Sequence, residues 1–154
     1  GQLINRFYKV ATHVLIQTDA MVDRLMGDEA IGLYIPGFAG QEHPRRAIEA
    51  AQELLRLRGN RGTKQPWIPV GIGIHTGAAY VGVVGSEENT ADFTALGDNV
   101  NITARLASAA AAGEILISES ACVASRLDLD KLERRQLELK GKSEPFNVRV
   151  LSLA

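Results

Sequence analysis

Cysteine is almost absent from this chain of 154 residues, and the single Cys122 excludes an internal disulfide and a metal site built from cysteines. Such scarcity fits a reducing compartment, so we expect a cytoplasmic protein and place Cys122 in the core. Long apolar runs are absent too. None approaches the ~20 residues that cross a bilayer, and we therefore expect no direct membrane insertion.

Neither sign of charge dominates the sequence. Lysine and arginine together number 17, aspartate and glutamate number 18, and the formal net charge is -1. This balance creates no overall field that would recruit nucleic acid or an anionic membrane, so we expect no nucleic-acid partner. Any site for an anion must be local.

The glycine fingerprints of the common nucleotide-binding folds are also missing. There is no P-loop, and Gly71-Ile72-Gly73 is not followed by the third glycine of a dinucleotide site. The histidines His13, His43 and His75 do not cluster in sequence, and none pairs with another at metal-binding spacing. Structural roles are therefore expected for all of them.

Hydrophobic periodicity predicts helices that alternate with β-hairpins. The predicted helices cover about 2–17, a segment around 47–55 that Gly59 closes, a segment from Val100, and a short one that Ser118 caps and that reaches about Ser125. The predicted strands include 21–25, 30–35, 67–74, 79–84, 114–117, 132–139 and 146–153. Hairpins are predicted to turn at Gly27-Asp28, at Thr76-Gly77 and at 140–145. No linker divides the chain, which predicts one α+β sandwich with helices over one face of a mixed sheet.

Residues 94–105, with the sequence TALGDNVNITAR, carry the most informative local pattern. A strand ends there, Gly97-Asp98-Asn99 forms a turn whose Asp or Asn can cap a helix, and the helix begins. Its apolar stripe is predicted to contain Val100, Ala104 and Ala107. Asn101 and Arg105 project from one helix face because they lie four residues apart. An amide and a guanidinium near the positive end of a helix dipole suit an anion, although an ordinary solvated face could carry the same pair.

Other positions could carry chemistry as well. Asp28, beside a glycine at a hairpin turn, could bind a hard cation, or could be common turn chemistry. Lys140 and Lys142 flank a glycine in the last hairpin and could form a cationic loop over a polyphosphate, or only a soluble turn. Arg24 lies on the strand that leads to Asp28, where a cation is usually a solvated charge.

Together these pieces resemble the class III adenylate and guanylate cyclase catalytic domain. The patterns that carry the resemblance are Asn5-Arg6-Phe7-Tyr8, Arg24-Leu25-Met26-Gly27-Asp28, Gly73-Ile74-His75-Thr76-Gly77 with Gly82-Val83-Val84-Gly85, Leu96-Gly97-Asp98-Asn99-Val100-Asn101 through Arg105 and, more weakly, Leu139-Lys140-Gly141. They occur in the family's order over essentially the whole chain. The resemblance implies a ferredoxin-like α+β sandwich with a mixed, mostly antiparallel sheet, and one catalytic domain over residues 1–154.

The function that the resemblance implies is that of an adenylate cyclase, a phosphorus–oxygen lyase that converts ATP to 3′,5′-cyclic AMP and pyrophosphate in signal transduction. The family works as a head-to-tail homodimer with shared active sites, and carboxylates of one subunit hold two divalent cations, Mg²⁺ or Mn²⁺. By position, Asp28 matches the second metal carboxylate. Asn101 would orient the ribose and Arg105 would stabilise charge at the α-phosphorus, both from the partner subunit. Lys140 would contact the terminal phosphates, and a fused regulatory domain is expected.

Two positions bear on whether the site prefers adenine or guanine. Adenylate cyclases typically have a lysine at the position of Arg24 and an aspartate or threonine at that of Thr94, whereas guanylate cyclases have a glutamate and a cysteine. Thr94 resembles the threonine variant of bicarbonate-responsive, soluble and bacterial-type adenylate cyclases. Arg24 keeps a hydrogen-bond donor, which suits adenine N1, while guanine N1–H needs an acceptor. ATP is therefore favoured, with looser selectivity because arginine is larger and planar, and a guanylate cyclase is the alternative.

The chain also departs from the family pattern at its start. The family's first metal aspartate lies on a strand upstream of the opening helix, beside a phosphate-contacting turn, and Gly1 already stands within a helical pattern. We therefore expect this chain to lack that first strand, to bind metal poorly and to turn over little or nothing alone.

Two further functions stay open from the sequence. Met26-Gly27-Asp28-Glu29-Ala30 is similar to the GGDEF turn of diguanylate-cyclase-type domains, but Met26 replaces a glycine that this chemistry needs, and Asn101 would have no role. The other is a catalytically silent cyclase-like module that dimerises and relays a signal, which Arg24 and the expected loss of the first carboxylate favour.

Overall fold

The structure is a computed structural model that describes residues 1–59, 65–84 and 92–153. The helices of these ranges are α1 (Gln2–Gln17), α2 (Pro36–Ala39), α3 (His43–Leu57), α4 (Asp98–Ala109) and α5 (Glu119–Ser125). The strands are β1 (Met21–Met26), β2 (Glu29–Leu33), β3 (Ile72–Ile74), β4 (Tyr80–Val84), β5 (Asp92–Leu96), β6 (Glu114–Ser118), β7 (Glu133–Leu137) and β8 (Phe146–Ser152).

The strands form one central sheet and two hairpins. The central sheet has the order β3-β6-β8-β7, in which β3 runs parallel to β6 and the other neighbours are antiparallel. β1 pairs with β2, and β4 pairs with β5, both antiparallel. β1 also lies against β5, where the Asp23 carboxylate accepts a hydrogen bond from the Ala95 amide at 3.5 Å. The mixed, mostly antiparallel pairing confirms the α+β class expected from the sequence.

Helices cover both faces of the central sheet. Successive side chains of β6 point to opposite faces, and the strand has apolar side chains on both. Ile115 and Ile117 point into a core formed with α1, α3 and α5, whereas Leu116 points to the opposite face and packs with Leu106 of α4. All four side chains are completely buried. The expectation that the helices share one face is therefore correct for α1, α3 and α5 and wrong for α4, since β6 has an apolar side chain to cover on each side.

Two glycines allow α4 to pack closely on β3. A Cβ atom on Gly73 would lie 2.4 Å from the backbone nitrogen of Ala107, and one on Gly71 would lie 2.7 Å from the carbonyl oxygen of Ala110. Neither position has room for a side chain while the helix stays in place. The Gly71-Ile72-Gly73 pattern, which does not match a dinucleotide fingerprint, is therefore the surface on which α4 rests.

Several predicted elements are confirmed. α1 covers residues 2–17, and the β1–β2 hairpin turns at Gly27, where φ is +57°. Ser118 caps α5, and its hydroxyl oxygen accepts the Ala121 amide at 3.2 Å. β7 and β8 form the last hairpin, and Cys122 packs against the core on the α1 side, as expected.

The hairpin predicted at Thr76-Gly77 is wrong. β3 pairs with β6 and β4 pairs with β5, so the two strands are not partners. β3 is also shorter than predicted because Trp67 turns toward the end of α3, where its indole N–H donates to the Leu57 carbonyl at 3.0 Å. The segment 75–79 is tied to α4 instead, since the Asn99 amide donates to the Ala78 carbonyl at 2.8 Å.

Candidate active site

The first turn of α4 begins without a side-chain cap. Gly97 is the N-cap residue at φ +135°, a conformation that favours glycine, and its carbonyl accepts the amides of Val100 and Asn101 at 3.2 Å. The prediction that Asp98 or Asn99 caps the helix is wrong, because the helix begins at Asp98 and both residues stand inside it. Their side chains are directed to neighbouring segments instead.

The buried stripe of α4 consists of Ile102 and Leu106, which are 5% and 0% exposed. The residues predicted for that stripe are only half-buried: Val100, Ala104 and Ala107. Ile102 and Leu106 occupy the inner face because their side chains bury more apolar area than alanine does. Asn101 and Arg105 each lie one position before a buried residue and so project from the flank of the helix, Asn101 exposed and Arg105 partly exposed.

The loop between β7 and β8 is held against α4 at two points. Nη1 of Arg105 donates to the Lys140 backbone carbonyl, and the Lys142 ammonium lies 2.6 Å from a carboxylate oxygen of Asp98. Leu139 is buried in the core on the α4 side and anchors the loop. The structure therefore brings Arg105 and Lys140 side by side, with the Lys140 side chain exposed.

Positive charge surrounds the first half of α4. The hydrogen bond from Lys142 lowers the pKa of Asp98 below its ordinary value, and the charges of Lys142 and Arg105 act in the same direction. Asp98 is therefore ionised at neutral pH and offsets the charge of Lys142. The guanidinium of Arg105 and the ammonium of Lys140 remain as the pair that suits a phosphate, the first as a planar fork and the second as a point charge.

A chain of side-chain hydrogen bonds lies beneath the first turn of α4, and we call Asn99, His75 and Ser118 the His75 network. Nε2 of His75 lies 2.8 Å from Oδ1 of Asn99, and Nδ1 lies 2.8 Å from Oγ of the completely buried Ser118. The Phe146 ring packs edge-on against the imidazole, with ring centroids 5.7 Å apart. Sequence reasoning gave His75 only a general structural role. The signal that points to it is its position two residues after Gly73, on which α4 packs.

Asp28 lies at the tip of the β1–β2 hairpin, on a different element from the other candidate residues. Its side chain is exposed, and the Tyr8 hydroxyl donates to the Gly27 carbonyl, which fixes the tip against α1. An exposed carboxylate fits one ligand position of Mg²⁺, which proteins often bind through one or two carboxylates and substrate phosphates. Among the described residues no group of three or more His, Cys, Asp or Glu could hold a metal. Asp28 and the other described residues therefore do not form a complete metal site.

Arg24 and Thr94 lie on neighbouring strands, β1 and β5. The hydrogen bond between Asp23 and Ala95 joins these strands one residue away from each of them. Their backbones are therefore close enough to flank one small ligand group. Their side chains lie outside the part of the chain that the structure describes.

Residues 34–151 match the family described as the adenylate and guanylate cyclase catalytic domain. This chain belongs to that family. The match begins directly after β2 and includes the glycines under α4 and the whole of α4 with Asn101 and Arg105. It also includes the β7–β8 loop with Lys140.

Two adenylate cyclases are similar to this cyclase domain in sequence. Adenylate cyclase 1 of Rhizobium meliloti (strain 1021) is 28% identical over 109 residues, which are 68% of this chain and 16% of that protein. The terminal-differentiation-specific adenylate cyclase of Dictyostelium discoideum is 26% identical over 156 residues, 94% of this chain and 7% of that protein. The chain thus spans a small part of the length of these curated relatives.

Crystal structures of both kinds of cyclase share the fold. The guanylyl cyclase Cya2 superposes with a TM-score of 0.80 at 25% identity, over 99% of this chain and 84% of that chain. The adenylyl cyclase CyaB from P. aeruginosa gives 0.74 at 25% identity, over 99% and 82% of the two chains. The fold is therefore common to enzymes named for either purine, and selectivity must be argued from residues.

The β4–β5 hairpin of the cyclase domain presents apolar side chains to solvent. Tyr80 and Leu96, which are direct cross-strand partners, are 83% and 54% exposed, and Val81 beside them is 44% exposed. Neighbouring exposed side chains of this size mark interaction surfaces more often than isolated ones do. Within the described ranges, no helix combines the length and apolar character that a membrane crossing requires.

Proposed function

We propose that this chain is the catalytic domain of an adenylate cyclase, a phosphorus–oxygen lyase that converts ATP to 3′,5′-cyclic AMP and pyrophosphate. The observation that carries the proposal is the placement of Arg105 beside Lys140 on the flank of α4 that also carries Asn101, in a chain of the cyclase family. Two cations of different geometry and an amide at the first turns of a helix form a local anion site in a protein with no overall positive charge.

Each of these side chains has a role that its chemistry supports. The planar guanidinium of Arg105 can stabilise negative charge that develops on the α-phosphoryl oxygens as the ribose 3′-oxygen attacks. The Lys140 carbonyl that accepts Nη1 holds the guanidinium before the reaction, so little reorganisation is needed. Lys140 itself carries an exposed ammonium that can reach the terminal phosphates, and the Asn101 amide can orient the ribose hydroxyl.

Asp28 is proposed as one ligand of two divalent cations, Mg²⁺ or Mn²⁺. Bound there, such cations supply Lewis acidity to the ribose hydroxyl and charge neutralisation to the triphosphate. The described residues provide this one candidate carboxylate on the exposed hairpin tip, so the site needs a further ligand group. This chain alone is accordingly proposed to bind metal weakly and to turn over little.

The sites are proposed to lie between two copies of the domain. Asp28 stands on the β1–β2 hairpin, whereas Arg105 stands on α4 and leans toward the β7–β8 loop. The exposed Tyr80, Val81 and Leu96 side chains give a second copy an apolar surface to bind. The far greater length of the relatives supports the proposal of fused regulatory domains, and a cytoplasmic location is part of the same proposal.

ATP is the proposed substrate because Arg24 keeps a hydrogen-bond donor that suits adenine N1 and because Thr94 resembles the threonine variant of adenylate cyclases. The two curated relatives named above are also adenylate cyclases. The similarity to Cya2, a guanylyl cyclase, supports GTP as the second candidate. A catalytically silent module is the third, and it is favoured by the incomplete carboxylate set of the described residues.

A longer stretch of the native protein that includes this chain should be assayed for cyclic nucleotide formation with Mn²⁺ and either ATP or GTP. We expect cyclic AMP, and a loss of about 100-fold or more on Arg105→Ala or Asn101→Ala. Arg45→Ala, which removes an exposed arginine of α3, is the matched control and should keep full activity. Cyclic GMP as the only product would reassign the substrate, and no product at high protein concentration would support the silent module.

Shared sites predict complementation. Asp28→Ala and Arg105→Ala should each be inactive alone, and mixing them should recover about a quarter of the parent activity, because half of the dimers are mixed and each mixed dimer keeps one intact site. Mixed dimers that form, as native mass spectrometry can verify, but stay inactive would argue against an active site built from two copies.

A further inference from the structure

The imidazole of His75 bridges α4 and the central sheet. It follows β3 directly, and its two ring nitrogens lie 2.8 Å from Asn99 at the start of α4 and 2.8 Å from Ser118 at the end of β6. Phe146 of β8 packs edge-on against the ring. The ring is partly buried, bonded at both nitrogens and packed on an aromatic neighbour, so it keeps one orientation. Residues that support a functional side chain from behind are commonly held in this way.

The partners of the His75 network determine which ring nitrogen carries the proton. The Asn99 amide nitrogen donates to the Ala78 carbonyl at 2.8 Å, so the Asn99 oxygen faces the imidazole and Nε2 must donate to it. A neutral ring that donates from Nε2 accepts at Nδ1, where the hydroxyl of Ser118 lies at 2.8 Å and that of Ser120 at 3.4 Å. The contact with Asn99 therefore selects the Nε2–H form, and a serine hydroxyl donates to Nδ1.

Side chains of the first turn of α4 make contacts on two sides, and these contacts differ in strength. On the exposed side, Asp98 and Lys142 form an ion pair between side chains that are 66% and 38% exposed, and such pairs contribute little in water. On the inner side, Asn99 bonds to His75 and to the Ala78 carbonyl, and the bond to His75 is partly buried beside the Phe146 ring. Hydrogen bonds there are stronger and costly to lose. Because the N-cap Gly97 has no side chain, the hydrogen bonds of Asn99 to His75 and to Ala78 tie this turn to the segment beneath it.

We infer that His75 is a positioning residue of the active site: it holds Asn99, and through the first turn of α4 it sets where Asn101 and Arg105 stand. The residue acts through the helix and belongs to neither the phosphate contacts nor the metal ligand described above. Its effect on turnover rests on the proposed cyclase function. The geometry of the network does not rest on that function and can be tested alone.

Gly77 provides a second way to break the same contact. A Cβ atom at this position would lie 2.3 Å from the Asn99 amide nitrogen. Gly77→Ala should therefore push Asn99 away from His75 while leaving the imidazole itself intact. Gly37→Ala is the matched control, because a Cβ atom at Gly37 meets nothing within 4 Å.

The first test is the protonation state of the ring in this chain. Long-range ¹⁵N–¹H correlation spectra should show the Nε2–H form for His75, with His13 and His43, which lie outside the network, as internal references. Gly77→Ala should shift the His75 ring signals, and Gly37→Ala should not. An Nδ1–H form, or a ring that averages between forms, would overturn the inference. Finding the Nε2–H form without any cyclase activity would leave the network standing and count against the proposed function.

The second test is turnover in the longer native protein. His75→Gln keeps a donor near the Asn99 oxygen, whereas His75→Leu removes it at similar size. We expect His75→Leu to lower kcat by about 10- to 100-fold with a smaller change in KM, and His75→Gln to restore most of kcat. If His75→Leu does not fold, Gly77→Ala against Gly37→Ala takes its place with the same expectation. Full activity of the disrupted variant, or equal loss in a folded His75→Gln, would refute the positioning role.

Discussion

The two faces of the central sheet are held by different kinds of contact. On the α1, α3 and α5 side the core is apolar, with Ile115 and Ile117 among its completely buried members. On the α4 side an apolar core around Leu116 is joined by the His75 network and by the Arg105 bond to the β7–β8 loop. Apolar burial has no direction, whereas hydrogen bonds do. The first face therefore stabilises the fold, and the second also determines the orientation of the helix that carries the candidate active site.

The largest expected effects come from deleting neighbouring core side chains of β6, one on each face. Ile117→Ala and Leu116→Ala should each lower the free energy of unfolding by about 2–5 kcal/mol, measured by urea denaturation. Only Leu116→Ala should shift the ring signals of His75, because its cavity opens beneath α4. An equal shift in Ile117→Ala would mean that the two faces are not independent. Valine at either position offers a milder pair if alanine prevents folding.

A smaller loss is expected when side-chain bulk is added under α4. Gly73→Ala should lower the free energy of unfolding by about 1–3 kcal/mol, because the new methyl would lie 2.4 Å from the Ala107 nitrogen and the helix must move. Gly37→Ala, in open space, should stay within about 0.5 kcal/mol of the parent. Thermal unfolding measures both. A neutral Gly73→Ala would show that α4 is not fixed by backbone contact.

Ser118 serves both faces, since its buried oxygen caps α5 and contacts His75 of the α4 side. Ser118→Ala should cost about 1–2 kcal/mol in stability through the lost cap and the lost 2.8 Å contact with Nδ1 of His75. A double-mutant cycle with His75→Leu should give a coupling of about 0.5–1 kcal/mol. Ser108→Ala, on the exposed side of α4, is the control. Additive costs would mean that the serine and the histidine act separately.

The smallest expected effect is on the pH dependence of stability, and it comes from an ion pair near the edge of the central sheet. Arg135 of β7 binds both carboxylate oxygens of Glu114, at 3.0 and 2.9 Å, and these hydrogen bonds, followed by that of the Ala111 amide, lower the pKa of Glu114. The pKa of this carboxyl is lower in the folded state than in the unfolded state. Its full contribution to stability is therefore present when the pH is above the pKa of the unfolded state. That contribution is lost as the pH falls through the pKa of the folded state.

We therefore expect stability to decline as pH falls below the ordinary glutamate value of 4.5. Glu114→Gln should remove roughly 1 kcal/mol at neutral pH and flatten this decline, whereas exposed Glu138→Gln should do neither. The measurement is the free energy of unfolding between acid and neutral pH. An unchanged pH dependence in Glu114→Gln would assign the acid sensitivity to other carboxyls.

Local features of this fold could be predicted from the sequence because they depend on contacts within a few residues. The helix at 2–17, the turn at Gly27 and the Ser118 cap are of this kind. The partners of β3 and β4 could not be predicted, because apolar alternation marks a strand without saying which neighbour it takes. The side on which α4 packs depends on the same long-range choice. It also depends on Gly71 and Gly73, whose lack of a side chain matters only when a helix packs against them.

The candidate site divides in the same way. The spacing of Asn101 and Arg105 was sufficient to place them on one flank of a helix. The family resemblance pointed to Lys140 as a phosphate contact, and its position beside Arg105 is visible only in the structure. His75 was missed because its partners Asn99 and Ser118 lie 24 and 43 residues away and carry ordinary polar side chains. The roles of Asp28, Arg24 and Thr94 stay predictions, since each needs a substrate, a metal or a second copy to be tested.

The contact between α4 and the glycines of β3 has a consequence for how the domain responds to heat. Where α4 packs on the backbone at Gly71 and Gly73, the sheet contributes no side chain that could change its rotamer as the temperature rises. We therefore expect α4 and the sheet beneath it to lose order in one cooperative event. Any activity of the candidate site should then decline together with global unfolding and not at a lower temperature.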